Sequence, residues 1–197
     1  MKPRKLTKED IDKVRNIEGF PIGTDEDIIA LSDAPYYTAC PNPFIEEFIK
    51  ENGHPYDEVT DDYHREPFAA DVSEGKTDPV YMAHAYHTKV PYKAILKYIM
   101  HYTSPGDIIL DGFCGSGMTG IAAQKCGDIE ELSGLGFTNE EISTNLGVRK
   151  AILNDLAPVA TFISYCFNNP ENITEYDSAV RSAIEDCKKE FAWMYKT

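Results

Sequence analysis

Apolar positions in the first 53 residues recur at helical spacing in three short runs. Thr7-Lys-Glu-Asp10 is a capping-box-like start to a helix that stops near Gly19-Phe-Pro21. Thr24-Asp-Glu-Asp27 sets acids at a second helix N-terminus, before Ile28-Ile-Ala-Leu31. Phe44, Ile45, Phe48 and Ile49 mark a third helix between Pro43 and Asn52, ended by Gly53. Ser32 to Pro43, rich in proline and aromatic residues, reads as an ordered loop. Residues 54–86 are acidic, aromatic and turn-rich, and have no period. They read as an irregular segment wrapped over a surface.

The rhythm changes at Tyr86. Pro91 opens a helix to Tyr102 whose apolar face is Ile95, Leu96, Ile99 and Met100. Thr103-Ser-Pro-Gly106 is a turn, and Asp107-Ile-Ile-Leu-Asp111 is a buried strand. The glycine-rich turn Gly112–Gly117 follows, then a helix from Met118 to Cys126. Residues 127–147 form a polar insertion with a helical signal at Thr138-Asn-Glu-Glu141. Lys150–Asn154 is a second strand, Ala157–Phe167 a helix, and Thr174–Tyr195 an amphipathic helix with Thr174 as N-cap. Helix, strand, glycine turn, helix, strand, helix is the order of a nucleotide-binding α/β unit with a parallel sheet. The boundary is expected at residue 85/86, with an irregular, helical N-terminal extension before it.

Composition narrows the class. The 197 residues carry a formal charge of −14, so the chain as a whole is no basic polyphosphate-binding surface. No apolar run reaches the roughly 20 residues of a membrane span, and Met1-Lys-Pro-Arg-Lys5 lacks a signal-peptide core. A cytoplasmic location with no membrane partner is the expectation. Cys40, Cys114, Cys126, Cys166 and Cys187 form no CxxC pair, and the five histidines have no ligand set at regular spacing; no disulfide framework and no metal site are expected. Lys89, Lys93 and Lys97, interleaved with Tyr86, Tyr92 and Tyr98, suit either a solvated helix face or a nucleic-acid backbone.

The glycine turn carries the chemistry. Gly115-Ser-Gly117-Met-Thr-Gly120 satisfies GxGxxG, a pattern that several ligand-binding turns share. Asp111 closes the strand directly before it. A carboxylate there serves an anion poorly and a cationic, hydroxylated ligand well; S-adenosylmethionine has a sulfonium, an ammonium and a ribose. Asp155 ends the second strand, where ribose-binding acids of such folds sit. It follows Asp111 by 44 positions, a spacing that the 127–147 insertion explains.

Asp111-Gly-Phe-Cys-Gly-Ser-Gly-Met-Thr119 resembles the cofactor motif of the amino-group DNA methyltransferases, D-P-F-x-G-S-G-T-T. His87-Thr-Lys-Val-Pro91, a helix and Ser104-Pro-Gly-Asp107 resemble the segment that precedes that motif in the same family. Asn154-Asp-Leu-Ala-Pro158 resembles the acidic end of the family's second strand. Gly112 and Met118 depart from the family pattern, as does the insertion. The resemblance implies a Rossmann-like, S-adenosylmethionine-dependent methyltransferase fold. In it Asp111 and the Gly115–Gly117 backbone hold the methionine moiety, and Gly112, Phe113, Cys114 and Ser116 belong to the same turn. Thr88 and Lys89 close over the methionine carboxylate, and Asp155 takes the ribose hydroxyls.

Members of the family present [Asp/Asn/Ser]-Pro-Pro-aromatic to a base flipped out of the duplex. The nearest sequence here is Asp33-Ala-Pro35-Tyr36, with Ala34 at the first proline. It is either the catalytic motif of a permuted enzyme or a loop that packs over the core. The third possibility is a catalytic motif beyond Thr197, because two strands fall short of a complete methyltransferase sheet. On that reading the chain is a cofactor-binding portion that is inactive alone and meets double-stranded DNA through regions mostly outside it. Cys40-Pro41 reverses the Pro-Cys order of cytosine-C5 enzymes. The expected function is methyl transfer to adenine N6 or cytosine N4 of DNA, of restriction–modification or phage-defence type. A tRNA guanine-N2 methyltransferase and a non-catalytic cofactor-binding partner subunit are the alternatives.

Overall fold

A computed structural model describes residues 4–32, 40–169 and 172–195. The Asp33–Tyr36 sequence lies outside the described residues. The N-terminal helices are α1 (Lys8–Val14), α2 (Asp25–Leu31) and α3 (Ile45–Asn52). Thr7 and Asp10 form the capping box that starts α1, and Thr24 caps α2 through Asp27 N. Leu6, Ile11 and Ile28 bury a small core, flanked by Phe20, Ile29, Cys40 and Phe44. Asp10 is buried beside it and is held by a two-pronged Arg4 pair. That guanidinium keeps the Asp10 carboxyl well below the usual carboxylate range.

Residues 54–78 have no regular structure apart from turns, and the sequence shows why. Between Glu66 and Ala70 the backbone is met by side chains of α5 (Tyr92–Tyr102) instead of a ladder. Tyr102 Oη accepts from Phe68 N (2.9 Å), and Tyr98 Oη accepts from Ala70 N (3.0 Å). Tyr63 Oη donates to Tyr102 O (2.9 Å), and Phe68 stacks on His101. The residues placed in the extension are thus strapped to the first helix of the α/β part. A short helix that the sequence pattern missed, α4 (Pro79–Met82), follows, capped by Asp78.

The lysine stripe of α5 is spent inside the fold. Lys93 pairs with Asp78 (3.0 Å) and Glu131 (3.5 Å), and Lys97 pairs with Glu74 (2.6 Å). Neither an open solvated face nor a phosphate track describes these half-buried cations.

Strand β1 (Ile108–Asp111) pairs in parallel with β2 (Lys150–Leu153), with Ile108 opposite Lys150 and Asp111 opposite Leu153. Helix α6 (Met118–Lys125) crosses between them. One face of the pair carries the main core. There Ile109 and Ala151 meet Leu96, Ile99 and Met100 of α5 and Met118, Ile121, Ala122 and Ala123 of α6. The small Ala122 and Ala123, both fully buried, let α5 and α6 approach closely. Leu110 alternates to the other face and is 71% exposed. The parallel pair and its flanking helices fit the α/β expectation; the wider Rossmann-like sheet stays an inference from the resemblance.

The 127–147 insertion contains two helices, α7 (Ile129–Gly134) and α8 (Asn139–Asn145), of which the sequence pattern showed only the second. Leu132 and Ile142 anchor them in the main core. Their tether is Arg149, fully buried before β2. Its guanidinium makes five hydrogen bonds, to Thr103 Oγ1 and O, Asn145 O and Oδ1, and Gly147 O. All five acceptors are neutral, so burial dominates and pushes the Arg149 pKa down. Lysine carries three donors on a flexible stem and cannot reproduce this planar fork. Arg149→Lys is expected to cost about 2 kcal/mol, read as a lower urea midpoint at unchanged slope. A midpoint equal to that of the parent would remove Arg149 from its anchoring role.

Helix α9 (Pro158–Asn168) packs on α6, and α10 (Ile173–Phe191) ends in a 3₁₀ turn over Ala192–Tyr195. The α10 cap is Asn172, whose Oδ1 accepts from Thr174 N (2.9 Å). The helix starts before Thr174, which corrects the expected cap by two residues. Threonine and asparagine both suit that place, and the sequence offers both within three positions.

Candidate functional site

The turn after β1 is built from both strand ends. Asp111 O accepts from Asn154 N (2.9 Å), and Asn154 O accepts from Cys114 N (2.9 Å). Asn154 Nδ2 donates to Gly112 O (3.1 Å). Asp155 Oδ2 accepts from Gly115 N (2.9 Å), and its Oδ1 accepts from Ala157 N (2.9 Å). Both Asp155 oxygens therefore hold backbone.

Gly117 ends the turn at φ +79° and caps α6 without a side chain. No residue of the first turn of α6 is acidic; the carboxylate that reaches its partial positive end is that of Asp111, through Thr119 Oγ1. Asn168 Nδ2 of α9 donates to Gly117 O (3.0 Å) and to Ser164 O (2.9 Å), which seats α9 against the turn.

A cleft of about 200 Å³ lies between this turn and the segment before α5. Thr88, Lys89, Asp111, Phe113, Cys114, Gly115 and Ser116 line it. Seven of the residues expected in a cofactor site thus converge from two separate segments. Gly112, Gly117 and Asp155 do not line it; Gly117 and Asp155 shape the turn from behind. Sequence reasoning missed Tyr86 and Thr119, which also line the cleft. A Cβ on Gly115 would sit 2.8 Å from Tyr86 Cε1, so the ring rests directly on that glycine. Thr119 Oγ1 donates to Asp111 Oδ2 (2.6 Å), and Phe113 N donates to Asp111 Oδ1 (3.1 Å). Thr119 stands at a fixed place in the motif, which could have signalled it.

An acid and a cation from two separate segments line the cleft. Asp111 is the acid. Lys89 Nζ donates to Tyr81 O and His84 O and lies 4.5 Å from the Tyr81 ring centroid. These partners are neutral, and burial lowers the Lys89 pKa with no carboxylate opposing it. Ser116 Oγ is buried and has no hydrogen-bond partner among the described residues. Burial also raises the Cys114 thiol, against a weaker Ser164 hydrogen bond, so Cys114 is a packed turn residue. The expected catalytic residues Asp33, Pro35 and Tyr36 lie outside the described residues.

No curated protein and no solved structure matches the chain. Among the described residues, no helix is long and apolar enough to cross a membrane. Residues 45–130 match a DNA methylase family of the N6- and N4-methylating type. The matched stretch begins in α3, crosses the expected 85/86 boundary, and contains the whole cleft. Over residues 45–130, just under half of the chain, the protein is thus similar to the N-terminal portion of the amino-group DNA methyltransferases.

Proposed function

We propose that the cleft binds the methionine end of S-adenosylmethionine, and that the protein serves methyl transfer to an exocyclic amine of a DNA base, adenine N6 or cytosine N4. The oppositely charged Asp111 and Lys89 carry this reading. An α-amino acid bears a cation and an anion on one carbon, and the cleft offers one fixed partner for each. When bound, adenosylmethionine supplies an electrophilic methyl group. The chain's own residues bind and orient it. Asp111, aligned by Phe113 N and Thr119 Oγ1, meets the cationic side. Lys89, held by neutral carbonyls, keeps its charge for the carboxylate.

The orphaned Ser116 Oγ supports the fit, because a buried hydroxyl without a partner costs about 1–3 kcal/mol until a ligand satisfies it. The cleft, about 200 Å³, is smaller than the roughly 300–1,000 Å³ of sites that enclose a whole ligand. It suits the amino-acid end, with the nucleoside over the open turn beside the exposed Phe113. Asp155 retains carboxylate lone pairs beyond its two backbone bonds and stays the candidate for the ribose. A site-specific role in restriction–modification follows from the family reading alone.

Calorimetric titration tests the cofactor claim. Lys89→Met is expected to weaken adenosylhomocysteine binding about tenfold or more and to leave adenosine binding unchanged, because adenosine lacks the carboxylate. Equal losses for both ligands, or none for either, would reject the placement of the methionine end. Transfer of a labelled methyl group to duplex DNA, with the product identified as N6-methyladenine or N4-methylcytosine, tests the chemistry.

A further inference from the structure

Helix α10 buries none of its residues. Ile173 is 83% exposed, Tyr176 65%, Ile184 48% and Phe191 39%. At about 100° per residue, Ile173, Tyr176, Val180, Ile184, Cys187 and Phe191 share a stripe about 80° wide. An apolar stripe of this kind on a 19-residue helix costs free energy in water unless something covers it.

The charges beside the stripe fall into two groups. Arg181 pairs with Asp177 and Lys189 with Asp186 inside the helix. Lys188, on one flank of the stripe, and Glu190, on the other, have no ion-pair partner among the described residues. The Tyr176 hydroxyl has no hydrogen-bond partner there either.

The geometry points to a second copy of this chain as the occupant, its α10 packed antiparallel on the first. A two-fold axis beside Ser182 sets Ile173 opposite the second copy's Phe191, and Val180 opposite the second copy's Ile184. The same register brings Lys188 beside the second copy's Asp177 on one flank, and Glu190 beside the second copy's Tyr176 hydroxyl on the other. Groups left unpartnered within one chain thus find partners across the axis. Each contact occurs twice, as a two-fold interface requires. A parallel, in-register pair would instead turn each flank toward the opposite flank of the second copy, which separates Lys188 from the second copy's Asp177 and Glu190 from its Tyr176 hydroxyl. The pairing is independent of the cofactor cleft.

Sedimentation of the 197-residue chain from about 1 to 100 µM tests the pairing. A monomer–dimer equilibrium is expected. Val180→Glu should raise the dimer dissociation constant at least tenfold, with the circular dichroism melt retained because α10 contributes no buried residue. Lys188→Asp should weaken the dimer, and Lys188→Asp with Asp177→Lys should restore it. Under mild air oxidation, Asp177→Cys should form interchain links between positions 177 and 187, mapped by peptide mass spectrometry. A monomer at every concentration would overturn the proposal. So would a dimer indifferent to Val180→Glu, which places the contact elsewhere, or a dominant 187–187 link, which is the parallel arrangement.

Discussion

Asp111→Ala is expected to weaken adenosylmethionine binding about 100-fold or more, about 2.7 kcal/mol, while the fold persists. Among the described residues the carboxylate is the only acid lining the cleft, and the ligand it would face is cationic at both sulfur and nitrogen. Removing it leaves Phe113 N and Thr119 Oγ1 without their acceptor, so part of the loss is turn geometry. Asp111→Asn separates the two effects. Asparagine keeps an acceptor for Phe113 N and loses the charge. If charge governs binding, Asn resembles Ala in titration calorimetry. Parent-like affinity in Asn together with loss in Ala would assign Asp111 to holding the turn and defeat its role toward the ligand.

Gly117→Ala should be the most destabilising single methyl in the α/β part, at about 3–4 kcal/mol. Two costs add. A left-handed φ of +79° charges any residue with a Cβ about 1–2 kcal/mol. The new methyl would also lie 2.6 Å from Asn168 Nδ2 and 2.9 Å from Ser164 Cα, and against Ser164 Oγ, in a packed joint. Overpacking of this kind costs about 1–3 kcal/mol. Gly106→Ala is the control. Its φ is +88°, and a Cβ there meets nothing within 4 Å, so it carries the backbone cost alone. Chemical denaturation should rank the two clearly apart. Similar losses would mean that α9 yields to the methyl and does not brace the turn.

The strand–turn–helix unit was legible because three signals coincide there: an apolar run, an acid at its end, and glycines before a helix. The helix starts at Thr7, Thr24 and Thr138 were legible for the same kind of reason, since a cap is a local hydrogen bond between residues three apart. What stayed hidden is long-range. Lys89 lines the cleft while carbonyls of Tyr81 and His84 hold its ammonium, and a main-chain oxygen has no residue identity to read. The strap shows no period at Phe68 and Ala70 because tyrosine hydroxyls, 28 and 34 positions away, take the place of a ladder there. Helix α7 was missed because Leu132 is its one buried residue, too little for a periodic face. The stripe of α5 lysines pointed outward on paper, and its acids at 74, 78 and 131 come from other segments.

The bond from Gly115 N to Asp155 has an entropic meaning. A glycine-rich turn loses more conformational entropy on ordering than any other stretch of its length. Here a strand-end carboxylate, fixed in turn by Ala157 N, has already ordered it within the folded chain. A ligand that arrives at this turn meets a finished surface, so the ordering cost falls on folding and not on binding. For the ligand proposed above, affinity would then rest on how well the charges of Asp111 and Lys89 are met and not on ordering the turn.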